Sequence, residues 1–205
     1  MLSGKASARY GAAIMTTTPA PQPAADRDRL HIPLGDGAPR LVPLLAGHGP
    51  GLQAACAADA DIWRIYPTDY GPDGFAASFG ALLANPTRLP FAILDGDLLV
   101  GMTAYLRIEP AAQTLEIGNS YLRPDRRGTG LNGAMKRLMI DHAFACGFRR
   151  IEFRIDARNG RSQAAVGKLG AVREGLLRAE RITWTGHVRD TVLFSLLESD
   201  PRPGR

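Results

Sequence analysis

The run Tyr121-Leu122-Arg123-Pro124-Asp125-Arg126-Arg127-Gly128-Thr129-Gly130-Leu131-Asn132 decides the fold. It opens as a strand, turns through a basic glycine-rich loop and passes directly into a helix. Backbone N–H groups at a helix N-terminus lack intrahelical partners and carry the positive end of the dipole, so such a turn cradles anions. Gly128 and Gly130 have no Cβ and let the backbone approach a ligand closely. Arg123, Arg126 and Arg127 add attraction for a polyanion. Taken alone, Gly-x-Gly after a basic stretch is also what an ordinary turn and helix start look like. Gly128, Gly130 and Gly133 match the spacing of a dinucleotide fingerprint, and Asp156 ends the next strand. The rest of the chain is nevertheless too short and too antiparallel in pattern for a dinucleotide fold. A Walker loop is excluded, because Gly-Lys-Ser/Thr does not occur.

Working outward, Leu131, Ala134, Met135, Leu138, Met139 and Ala143 recur at helical intervals. They predict a helix over residues 129–146, packed on a sheet and ended by Gly147. Residues 150–156 alternate, with Ile151, Phe153 and Ile155 facing one way and Glu152 and Arg154 the other. A short helix over 162–169 stops at Gly170, and strands over 171–177 and 191–197 flank a turn at Thr185-Gly186. Upstream, residues 115–122 form a strand. Residues 89–94 and 98–107 form a hairpin on Asp95-Gly96-Asp97. Helical stretches over 52–65 and 73–83 meet at the aromatic segment Trp63 to Tyr70, and a short strand covers 40–45. No internal repeat is seen.

The 205 residues suit one domain over 30–199, between a disordered Pro- and Ala-rich leader (1–29) and a short tail (200–205). Met15 is an alternative start. No apolar stretch approaches the ~20 residues that span a membrane, and the first 25 residues lack the apolar run of a secretory signal. The net charge is +5, and Lys5, Arg9, Arg27 and Arg29 against Asp26 and Asp28 place part of it in the leader. That balance suits an anionic cofactor; no basic stripe with interleaved aromatics points to nucleic acid. Cys56 and Cys146, with His31, His48, His142 and His187, are too scattered for a disulfide framework or a metal site. A reducing cytoplasm is the expected setting.

The order strand, Arg-Gly-x-Gly loop, long helix, strand, Asn-x-x-Ser, short helix, Leu-Gly-Ala, Glu-Gly resembles the GNAT N-acetyltransferases from about residue 40 to residue 199. Within that family it is most similar to the ribosomal-protein N-terminal (alanine) acetyltransferases. The resemblance is carried by Leu115-Glu116-Ile117-Gly118, Arg127-Gly128-Thr129-Gly130, His142-Ala143-Phe144, Asp156-Ala157-Arg158-Asn159-Gly160-Arg161-Ser162, Lys168-Leu169-Gly170-Ala171, Arg173-Glu174-Gly175-Leu176-Leu177-Arg178 and Arg189-Asp190-Thr191. It implies an α/β (α+β) fold: a mixed, mostly antiparallel twisted sheet of about six to seven strands flanked by helices. A V-shaped splay is expected between the fourth and fifth strands.

The resemblance further implies that the pyrophosphate of acetyl-CoA sits on the backbone N–H groups of Arg127, Gly128, Thr129, Gly130, Leu131 and Asn132. Asn132 occupies a position the family fills with a small residue. The strand ending in Tyr121 and Leu122 is expected to pair with the pantetheine amides through its exposed backbone. Asn159 either reaches the pantetheine arm or caps a helix. Ser162 is the candidate acid for the departing thiolate, compatible with an N-cap role, since the short helix lacks the tyrosine many relatives place there. Glu116 is the candidate general base or a cross-strand partner of an arginine such as Arg154, with Glu174 and Glu180 in reserve. Trp63, Tyr66, Tyr70 and Trp184 are candidate acceptor-pocket walls, or core. The function implied is acetyl transfer to a primary amine by direct attack in a ternary complex. The acceptor is a peptide N-terminus or, alternatively, a small-molecule amine. A non-catalytic acyl-CoA-binding module is the rival of another class. Either a monomer or a homodimer fits.

Overall fold

The computed structural model describes residues 24–203. Seven strands form one sheet: β1 (Arg40–Pro43), β2 (Leu89–Asp95), β3 (Leu98–Glu109), β4 (Thr114–Leu122), β5 (Arg150–Asp156), β6 (Val172–Ile182) and β7 (Val188–Leu197). Their spatial order is β1-β2-β3-β4-β5-β7-β6. Every pair is antiparallel except β4–β5. That pair is parallel because a helical crossover joins it, and no hairpin can. The helices are α1 (Gly49–Ala57), α2 (Phe75–Ala84), α3 (Leu131–Ala145) and α4 (Gly160–Gly167). This is the mixed, mostly antiparallel sheet that the resemblance implies.

Two cores lie on opposite faces. One joins α3 and Val166 of α4 to Leu115, Ile117, Phe153 and Ile155. The other joins α1 and α2 to Ala92, Met102, Trp63, Tyr70 and Tyr121. The buried arc of α3 comprises Leu131, Met135, Lys136, Met139, Ile140, Ala143 and Phe144. Ala134 and Leu138, expected on that arc, lie at its half-buried margin.

β4 changes face midway. Between the rungs Met102–Tyr121 and Ala104–Gly118 it holds one residue more than β3, and Asn119 sits there at φ +50°. This bulge shifts the alternation by one. Leu115 and Ile117 therefore share the α3 face with Ser120 and Leu122, whereas Glu116 shares the α1/α2 face with Tyr121.

Both expected termini are partly docked. Residues 1–23 of the expected leader lie outside the described residues. Ala25 is buried and donates to Pro110 O at 3.1 Å, Asp26 N donates to Cys146 O at 2.8 Å, and Leu30 is buried in the core. In the tail, Arg202 pairs with Asp141 at 2.5 Å and lies over the Phe144 ring. Among the described residues no helix is long and apolar enough to cross a membrane.

Candidate active site

β4 and β5 share only the rungs Thr114–Arg150, Leu115–Ile151 and Glu116–Glu152. From Ile117 and Phe153 onward they diverge, and a cavity of about 150 Å³ opens in the V. Tyr66, Glu116, Asn132, Lys136, Asn159 and Ser162 are among the residues that line it. At its closed end it meets a second cavity of about 560 Å³ on the α2 side, and Glu116, Leu106, Arg88 and Arg181 line both.

The glycine loop lies beyond the end of β4, where the V opens, and of its residues 127–132 only Asn132 lines the cavity. α3 begins at Leu131, and Gly130 is its left-handed N-cap at φ +89°; Gly128 is at +79°. A Cβ at either would meet no protein atom within 4 Å, so the left-handed backbone is what requires glycine there. The N–H of Arg127 is taken by Pro124 O at 3.1 Å, and that of Leu131 lies 3.5 Å from Thr129 Oγ1. The N–H groups of Gly128, Thr129, Gly130, Asn132 and Gly133 have no protein acceptor among the described residues. These orphan donors fit a pyrophosphate.

The loop's arginines do other work. Arg127 donates to Leu122 O at 2.7 Å, pairs with Asp59 at 2.5 Å and covers the Tyr121 ring. Arg126 pairs with Asp95 and Asp125, and Arg123 with Asp125. Each guanidinium is held by a carboxylate, so the loop presents mainly backbone to an anion. The Tyr121 side chain is buried, its hydroxyl donating to Ala55 O at 2.7 Å, and the residue is paired with Met102 on β3.

Asn159 takes its capping reading, but Ser162 is not an N-cap: α4 begins at Gly160, and Ser162 lies in its first turn. Asn159 Oδ1 accepts from Ser162 N at 3.0 Å and caps α4, and both residues line the cavity. Glu116 takes the arginine-partner reading and also lines the cavity. Its Oε2 lies 3.2 Å from Arg107 and 4.0 Å from Arg154. Burial pushes its carboxyl up from the ordinary range, and Arg107, Arg154 and Arg181 oppose that rise. A buried carboxylate with a raised pKa at the junction of two cavities is suited to accepting a proton. Glu174 is instead locked to Arg150 at 2.6 Å, away from both cavities.

The four aromatic candidates separate. Tyr66 lines the V and donates to Ser120 O at 2.6 Å, with burial pushing its hydroxyl up to about 12. Trp63 and Tyr70 are fully buried in the α1/α2 core and line neither cavity. Trp63 donates to Cys56 O and packs on Tyr66, Tyr70 and Tyr121. Trp184, in the β6–β7 turn, is half exposed and donates to Trp63 O at 2.8 Å, tying that turn to the α1–α2 linker. The linker's aromatic residues thus chiefly build the core that carries the cavity wall.

Several cavity residues escaped the sequence patterns: Lys136, Arg88, Arg154 as a lining residue, Arg181 and Arg189. Arg189 is buried and its Nε has no hydrogen-bond partner among the described residues. Lys136 had a detectable signal. It heads the row Lys136, Ile140, Phe144 at i, i+4, i+8, a cation on an otherwise apolar line.

Residues 40–172 match the family described as acetyltransferase (GNAT) domain. Among solved structures, one from T. thermophilus assigned to the acetyltransferases is 33% identical, with a TM-score of 0.74 over 81% of this chain and 89% of that one. RimJ of Mycobacterium smegmatis, in complex with CoA-disulfide, is 24% identical, with a TM-score of 0.69 over 81% of this chain and 86% of that one. The ribosomal-protein-S5-alanine acetyltransferase of Vibrio fischeri is 17% identical, with a TM-score of 0.67 over 84% of this chain and all of the other. The last two likenesses show a common fold. No match was found among curated proteins.

Proposed function

Because the chain belongs to the GNAT acetyltransferases, whose acyl donor is acetyl-CoA, we propose that it acetylates the N-terminal α-amine of a protein or peptide. The position of Glu116 carries this reading: it lines both the V and the second cavity. An acyl donor anchored at the 128–133 loop would enter by the first cavity and an amine by the second, so the two would meet beside this carboxylate. An amine must be neutral to attack a thioester. A peptide α-amine, with a pKa of about 7.7–8.0, needs less help from a base than lysine at about 10.4. The shared segments with the N-terminal acetyltransferase branch, and the fold shared with RimJ and the S5-alanine enzyme, favour that acceptor class.

Attack is direct, in a ternary complex. Burial pushes Cys56 up to about 12, and neither cysteine lines a cavity, so no thiol is placed as a nucleophile. A second reading, a small amine carrying an anionic group, draws support from Arg88. It lines both cavities and has no carboxylate partner among the described residues. CoA release from acetyl-CoA, measured with peptides of varied N-termini and separately with small amines, tests the choice. Release with peptides that is lost when their N-termini are blocked supports the first reading. Release with small amines alone replaces it with the second.

A further inference from the structure

Lys136 is a lysine in an unusual place. It is about nine-tenths buried on α3 and lines the V. Its Nζ donates to Ser120 Oγ at 3.3 Å, and Ser120 Oγ lies 2.8 Å from Thr103 Oγ1. The same nitrogen stands 5.4 Å from the centroid of the Phe153 ring, a cation–π distance. No carboxylate pairs with it among the described residues. The charged groups facing the cavity are Glu116 on β4, Arg154 and Asp156 on β5, Arg181 on β6, Arg189 on β7 and Arg88 before β2. Burial alone lowers its pKa, to about 8. A buried, unpaired amine is costly to fold around, and a methionine of similar length would fill the same space without that cost.

Its location along the V is informative. Phe153 is the first β5 residue past the last rung, and Ser120 is the first β4 residue past the bulge to face α3. The amine lies between them inside the V, and its helix position is one turn (roughly 6 Å) further along α3 than Asn132. Glu116 lines the same cavity from the α1/α2 face. A thioester threaded from the loop therefore finishes with a carboxylate on one face and an ammonium on the other.

We propose that Lys136 is a further catalytic residue, whose ammonium meets the departing sulfur of coenzyme A within the V, between Phe153 and Ser120. The proposal rests on the acetyl-CoA reading above. The neutral acceptor amine attacks the carbonyl carbon, the C–N bond forms, and its surplus proton passes to Glu116 directly or through water. The C–S bond then breaks with its electron pair on sulfur. Lys136 holds that thiolate as an ion pair or gives it a proton, and the lysine regains the proton from solvent. A lysine near 8 is closely matched to a thiol near 8.5. It supplies the donor for which the short helix offers only Ser162.

The test is the ionisation of CoA bound to the full-length protein. The thiolate ultraviolet band is titrated against desulfo-CoA in wild type, Lys136→Met and Lys136→Arg, with CoA affinity measured calorimetrically on each. The bound thiol should ionise at least one pH unit lower in wild type than in Lys136→Met, with Lys136→Arg restoring part of the shift. Turnover should fall about 10²-fold in Lys136→Met, the lower end of acid–base contributions, while its melting temperature rises. If CoA binds wild type and Lys136→Met alike and the thiol titrates identically in both, Lys136 does not meet the sulfur and the inference fails. A fall in melting temperature without a thiol shift overturns it in favour of a structural lysine. If CoA does not bind wild type at all, it is the acetyl-CoA reading of this chain that fails.

Discussion

Glu116 Oε1 lies directly beneath Gly118: a Cβ built on the glycine would come within 2.8 Å of that oxygen and 2.8 Å of Leu106 Cδ1. Strand alternation puts both residues on the α1/α2 face, and only a hydrogen at position 118 leaves the carboxylate room. Gly118→Ala should therefore displace the carboxylate from the cavity junction while leaving the distant phosphate loop intact. A displacement of this kind costs about 10²-fold in kcat, with CoA affinity unchanged. Steady-state kinetics beside CoA titration calorimetry checks it. Equal kcat in both proteins would remove Glu116 from the reaction.

The pH profile of kcat/KM gives a separate handle on Glu116. To accept a proton the carboxyl must be ionised, so activity should rise with pH through its pKa. Burial places that pKa above the ordinary carboxylate range. Arg107, 3.2 Å away, opposes the rise, and losing its charge in Arg107→Gln should move the acid limb further up in pH. Glu116→Gln should lower activity and abolish the limb. A limb that stays in place in both variants assigns it to another group.

Arg127 belongs to the loop's architecture. Its contacts to Leu122 O and Asp59 tie the phosphate loop to the end of β4 and to the segment after α1. Arg127→Gln should cost about 1–2 kcal/mol of stability, between the values for exposed and buried pairs, and weaken CoA binding by loosening the cradle. Because the guanidinium is already paired, the salt dependence of CoA affinity should not change. A markedly flatter salt dependence would show that Arg127 contacts phosphate after all.

The loop, the splay and the order of elements were legible because local chemistry fixes them. Gly128 and Gly130 demand a turn, the α3 intervals demand a packed helix, and the resemblance supplied the V. The acceptor side was not legible, because it depends on side chains converging from β3, β5, β6 and β7. Trp63 and Tyr70 illustrate this: a Pro-broken aromatic run looks the same whether its rings face a ligand or a core, and here α1, α2 and Tyr121 enclose them. Lys136 was hidden by its class, since a lone cation in a helix usually faces water. The bulge at Asn119 was equally invisible, although it turns Ser120 toward that lysine.

Glu174, the carboxylate held in reserve by the sequence, titrates in the opposite direction from Glu116. Arg150 grips it at 2.7 and 2.6 Å, and Ser195 donates at 2.7 Å. Arg150 first and then Ser195 hold its carboxyl down at about 2, against about 4.3 for a free glutamate. A carboxyl with a depressed folded pKa contributes stability that is fully present above the unfolded value and is lost as pH falls through the folded one. The side chain is 36% exposed, so screening holds the effect to about 1 kcal/mol. Glu174→Gln should therefore lower the urea midpoint at pH 7. Its difference from wild type should shrink between about pH 4.3 and pH 2, the span of the two carboxyl pKa values. A difference that stays constant across that window would mean that the shape of the Arg150–Glu174 contact, and not its charge, joins β6 to β5.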